Sequence, residues 1–159
     1  MTIDPKTALR LQFLARVVRK ECQHLAGTDQ RLFVDPFTPE RAAQLETDAD
    51  LAERVETFVG RFGRLQDILG DKLLPGLLAA LGESPAAAID NLDRAERLGW
   101  IPSADEGMTL RKLRHQMVPE YVEDIAVPAS ALQTAHEFVP MLTGAANKLL
   151  AETARRNWE

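Results

Sequence analysis

Apolar residues recur along this chain at helical spacing, and prolines mark where the helices begin. Asp4-Pro5, Thr38-Pro39 and Ser84-Pro85 each pair a capping residue with a proline at the first helical position. There the missing N–H costs nothing and the fixed φ already suits a helix. Ser103 and Glu106 have the spacing of a reciprocal capping box, and Val127-Pro128 is a weaker start. Five starts in a small chain predict an all-α protein.

The stretches between the starts carry the expected stripes. Leu11, Leu14, Val18, Cys22 and Leu25 share the first, which the Gly27 region is expected to end. The second begins at Thr38, and the polar run from Glu46 to Asp50 either breaks it or is carried through. Val55, Phe58, Phe62, Leu65, Leu69 and Leu73 form its long stripe. Pro75-Gly76 should kink or interrupt it before Leu77, Leu78 and Leu81 lead to Gly82. Ile89, Leu92, Ala95 and Leu98 stripe the third, with Gly99 as its C-cap. The fourth has Leu110, Leu113 and Met117. The fifth runs from Leu132 through Val139 and Ala146 to Leu150, kinked at Pro140. Leu32-Phe33-Val34 should pack back from the first loop. No segment alternates apolar and polar residues for long enough to be a strand. The expected architecture is one up-and-down bundle of four to six helices, a single domain over 1–159.

Composition narrows the function classes. With 159 residues, 45% of them hydrophobic, the chain can bury a real core. No apolar run reaches the ~20 residues of a membrane span, and Met1 to Lys6 lacks a secretory pattern. Lone Cys22 fits a reducing cytoplasm. A net charge of −5 argues against non-specific binding along nucleic acid. Tyr121 is the only tyrosine.

Familiar chemical motifs are missing. Gly60 and Gly63 lie within a helical stripe and read as close-packing positions, not as a phosphate loop. His24, His115 and His136 are far apart, so neither a metal nor another cofactor is expected. Ser84, Ser103 and Ser130 read as caps, not nucleophiles.

Two segments carry more. Arg61 and Arg64 share a helix face, and Asp67 follows at a spacing that would brace Arg64. The bland reading is a solvated face. From Gly107 to Pro119 there is no acid, but Arg111, Lys112 and Arg114 give a local +3. Arg114 and His115 suit a phosphate, the one bidentately, the other as donor or proton carrier. Equally, such charges complement the end of a helix dipole.

These two segments resemble those of the HEPN superfamily, and within it the small bacterial proteins encoded beside minimal nucleotidyltransferases. The resemblance spans roughly Val55 to Leu150, with 1–54 an N-terminal helix and connecting segment. Its motif runs arginine, polar residue, three residues, histidine, any residue, tyrosine. Arg114, His115 and Tyr121 match it, and Pro119 stands at the histidine position. Leu98-Gly99-Trp100-Ile101 also looks like the family.

The resemblance implies a helical homodimer with two motifs at one cleft. In active members the arginine and histidine cleave RNA without metal, and in some pairs the partner enzyme attaches AMP to the tyrosine. Pro119 cannot move a proton, and its ring opposes the carbonyl of His115. The expectation is therefore a catalytically degenerate, nucleotide- or RNA-phosphate-binding partner of a minimal nucleotidyltransferase, from a cytoplasmic toxin–antitoxin-type pair. Arg111 and Arg114 would bind phosphate, Arg61, Arg64 and Asp67 would form or brace a second wall, and Tyr121 would accept the nucleotide. The rivals are an endoribonuclease using Arg114 with a shifted His115 imidazole, and a helical interaction module without nucleotide binding.

Overall fold

A computed structural model describes residues 3–118 and 123–158; Pro119 and Tyr121 lie outside these, so the expectations placed on them go untested. The described residues form an all-α bundle. Its elements are α1 (Pro5–Leu32), α2 (Pro39–Ala43), α3 (Ala49–Ile68), α4 (Leu74–Ala80), α5 (Ala88–Arg97), α6 (Ala104–Gln116) and α7 (Ala126–Arg155). α1 packs along α3, α7 closes over α1, α2 and α6, and α5 pairs with α6. No helix among the described residues is long and apolar enough to cross a membrane.

The predicted stripes face one core. Phe58 and Phe62 of α3 are fully buried, as are Leu14 and Val18 of α1, Leu77 of α4 and Leu132 of α7, within 2% exposure. Each such side chain withdrawn from water contributes about 1.5–3 kcal/mol. α5 departs from its predicted stripe. Only Asn91 and Ala95 are buried there, and Ile89 and Leu98 stand 40% and 44% exposed.

Three boundaries differ from the expected ones. α1 does not end at Gly27 but continues to Leu32, because Thr28 and Leu32 extend the buried face by one more turn. The Glu46–Asp50 run does break the helix: a 3₁₀ turn at Gln44–Glu46 leads to Asp48, whose carboxylate caps α3 by accepting from Leu51 N–H. Ser84 does not cap α5, which starts after Ala87. The Asn91 amide instead bonds both the N–H and the carbonyl of Ala86, at 2.9 and 3.0 Å. Ser130 also caps nothing; it lies inside α7.

Asp4, Thr38 and Ser103 cap as expected, each accepting from the N–H three residues on. The first free N–H inside the helix, that of Ala104, is satisfied from outside α6 by Glu96, which accepts it at 2.8 Å. Pro75 does not interrupt its helix. A π-helical turn at Leu69–Leu73 lets Leu74 N–H reach the Leu69 carbonyl, five residues back, and the rod continues to Ala80. The wider turn accommodates a proline that cannot donate to the Asp71 carbonyl. α7 likewise continues through exposed Pro140, beyond which the Thr143 hydroxyl donates to the Val139 carbonyl.

Candidate functional site

α6 lays its basic side chains across α3. Arg111 and Arg114 are three apart, so they share the face turned toward that helix. Arg114 Nη1 donates to Asp67 Oδ1 at 2.5 Å, and Arg111 Nη1 lies 3.4 Å from Asp71 Oδ1. Asp67 and Asp71 are four apart, which matches the two arginines rung for rung.

Gly63 makes the seat. A methyl group there would fall 2.8 Å from Arg114 Nη2 and 2.9 Å from its Nε, so the guanidinium lies against bare backbone. The close-packing role expected of Gly63 is thus filled by a cation from α6. Gly70 lies beside Arg111, but a methyl group there would make only ordinary contact, 3.5 Å from Nη1.

Both ion pairs remain in contact with water, with side-chain exposures of 40% for Arg114 and 48% for Asp67. Pairs of that kind contribute about 0–1 kcal/mol to folding. The arrangement therefore orients Arg114 without being needed to hold the bundle together. It also changes the charge reading: two of the three positive charges on α6 face carboxylates of α3 and of the π turn that follows it.

The other expected residues go elsewhere. Asp67 does not brace Arg64; it is engaged by Arg114, because one helical turn places it toward α6. Arg64 instead lies 3.6 Å from Glu21 of α1. Arg61 donates to the Thr28 hydroxyl and to the His24 carbonyl at the end of its 3.1 Å reach, tying α3 to α1. Arg61 and Arg64 are thus turned to α1, away from the α3–α6 seam that holds Arg114. His115 is exposed on the last turn of α6, about 100° around the helix from Arg114. Arg114 and His115 both lie where a helix dipole favours positive charge.

The third histidine, His136, is in a built environment. Its Nδ1 is 2.7 Å from Asp29 Oδ1, and its ring stacks on Phe33 with centroids 4.2 Å apart. Phe33 in turn meets Phe58 edge-on. This cluster joins α1 to α7 and realises the expected packing of Phe33, while Val34 is 77% exposed. No group of His, Cys, Asp and Glu able to hold a metal occurs among the described residues.

Sequence reasoning passed over Gln66 and Asp71. Gln66 is 6% exposed, and neither atom of its amide has a hydrogen-bond partner among the described residues. The available signal was its position: Phe62, Gln66, Leu69 and Leu73 follow the 4-3-4 rhythm of a buried stripe, with one polar member. Asp71 was visible as an acid four residues after Asp67.

No known protein family, curated protein or solved structure matches the chain.

Proposed function

We propose that this chain is a catalytically degenerate phosphate-binding helical protein, a partner of a minimal nucleotidyltransferase in a toxin–antitoxin-type pair. Arg114 makes the principal contact with a nucleotide or RNA phosphate, and Arg111 supports it. The observation that carries this reading is the seat of Arg114: an orientation fixed by Asp67, against a glycine where any side chain would displace it. An arginine kept half-exposed by such a device is better explained by a ligand than by folding, to which the pair adds little. The phosphate competes with Asp67 for the guanidinium, and with two arginines in contact its affinity should fall by only about one decade per tenfold rise in salt.

The test is titration of a fluorescent oligoribonucleotide and of ATP into the purified protein, with Arg114→Ala beside it. Loss of a charged hydrogen bond costs about 1.5–3 kcal/mol, which predicts a fall in affinity of tenfold or more without loss of helicity. Equal binding by the variant overturns the assignment of Arg114. RNA cleavage by the wild type, abolished in His115→Ala, transfers the protein to the endoribonuclease reading. Incubation with ATP, Mg²⁺ and the product of the neighbouring gene, followed by intact-mass measurement, tests Tyr121. An AMP adduct lost in Tyr121→Phe supports the partnership, and an adduct retained there rules that residue out.

A further inference from the structure

The outer face of α1 has a composition that the bundle does not require. The inner face, from Leu11 through Leu14 and Val18 to Leu25, is buried in the core. On the opposite side Leu9 and Phe13, four residues apart, stand 65% and 47% exposed. At about 100° per residue, Lys6, Arg10, Arg16 and Lys20 fall within roughly 60° of Leu9 or Phe13, and all four are exposed. The Arg10 guanidinium lies over the Phe13 ring, 5.9 Å from its centroid. Among the described residues no carboxylate forms an ion pair with any of the four cations. The charge of the molecule is polarised as well. From Pro5 to Lys20 there are five cations and no acid, in a chain of net charge −5, so the remainder carries −10.

The mixture decides between occupants. A second copy of the chain is a poor one, because a two-fold interface sets the same cations against each other. Nucleic acid takes up the cations through its phosphates but leaves Leu9, in the middle of the patch, without a partner. A stable protein partner needs roughly 20–30 residues a side, far more than the six here. An anionic lipid surface suits both components. Its headgroups attract each cation separately, and the acyl boundary accepts a convex ridge of apolar side chains without needing a pocket. The contact is with the surface only, since no helix among the described residues is long and apolar enough to cross.

We infer that the outer face of α1 docks on an anionic membrane surface, with Leu9 and Phe13 entering the headgroup boundary and Lys6, Arg10, Arg16 and Lys20 on the lipid headgroups. The same surface repels the acidic remainder, so the charge asymmetry orients the molecule as it lands.

The probe is phosphatidylcholine vesicles with phosphatidylserine added or omitted, co-sedimented with the full chain. Binding is expected with the mixed vesicles only, weakening as salt rises. Arg16→Gln and Lys20→Gln should each lower the affinity about fivefold, the worth of one cation near such a surface. Leu9→Ser and Phe13→Ser should each lower it roughly tenfold through lost apolar burial. These side chains are exposed, so circular dichroism should show unchanged helicity. Phe13→Trp reads insertion directly: its emission should move to the blue on mixed vesicles. No sedimentation with the mixed vesicles at low salt, equal binding to both kinds of vesicle, or unchanged affinity in the glutamine or serine variants overturns the inference. So does a Phe13→Trp emission that does not move. Capture by polyglutamate without vesicle binding also overturns it, and gives the face to an acidic protein segment instead.

Discussion

Gly63 and Arg114 show how one position can serve a neighbour's side chain rather than its own helix. A glycine inside a helix costs roughly 1 kcal/mol relative to alanine, and here the cost admits a guanidinium against the backbone. Gly63→Ala should therefore separate stability from binding. The added methyl meets only the far end of a flexible side chain, so the melting temperature should hold or rise. Arg114 must leave its seat, so oligoribonucleotide affinity should fall toward that of Arg114→Ala. Unchanged affinity, measured beside the melting curve, would detach the glycine from the site. Cys22 offers a second residue-level test. Burial, with a smaller push from Glu21, raises its thiol from 9.0 to about 11. The folded chain thus retains a proton that the unfolded chain has lost between those values. Stability should fall as pH rises from about 9 toward 11, and the slope should shrink in Cys22→Ala when urea midpoints are compared. By the same physics the folded thiol should alkylate slowly at pH 8, because so little thiolate is present.

At the scale of the element, caps and interruptions account for the helix limits better than propensity does. α4, α5 and α7 close in the same way. A residue of positive φ, Gly82, Gly99 or Asn157, lets the following N–H reach a carbonyl five residues back. The bonds run from Glu83 to Leu78, from Trp100 to Ala95 and from Trp158 to Thr153. Gly82 and Gly99 were legible in the sequence because glycine marks this geometry, whereas Asn157 was not singled out. Gly27 carried the same letter and misled, because its turn is held helical by the buried Thr28 and Leu32 beyond it. The two glycines consequently respond to one substitution with opposite signs. Gly99→Ala forces a side chain into left-handed backbone and should destabilise by about 1–2 kcal/mol. Gly27→Ala adds a methyl where nothing lies within 4 Å, and should stabilise by about 0.5–1 kcal/mol. Paired thermal melts check both signs. The π turn before Pro75 was beyond the periodic pattern, since a proline in a stripe announces a disturbance but not whether the chain breaks or widens.

For the whole molecule, periodicity was enough to give the helices and their inward faces, because burying apolar side chains is what the bundle does with most of its length. Which partner each charge chooses was not legible. Asp67 is three residues from Arg64 and 47 from Arg114, and only tertiary packing brings the distant arginine to it. The same holds for Gln66, whose place in the stripe was legible but whose lack of a partner among the described residues was not. The packing makes a further statement about cooperativity. One continuous core takes in Leu11 of α1, Phe62 of α3, Trp100 after α5, Leu132 of α7 and Trp158 near the chain end. A chain with a single core should unfold in a single step. Trp100 and Trp158 are 4% and 3% exposed and report on different parts of it, the α5–α6 connection and the closure of α7. Trp158→Phe leaves Trp100 as the only indole, and Trp100→Phe leaves Trp158. Within each variant, fluorescence and far-ultraviolet circular dichroism should give the same urea midpoint and slope. If Trp100 fluorescence instead changes before the helical signal, α5 and its pairing with α6 form a separately melting unit. The exposure of Ile89 and Leu98 makes that pairing the most sensitive place to look. Coincident curves there extend the single core to the helix whose predicted stripe is least buried.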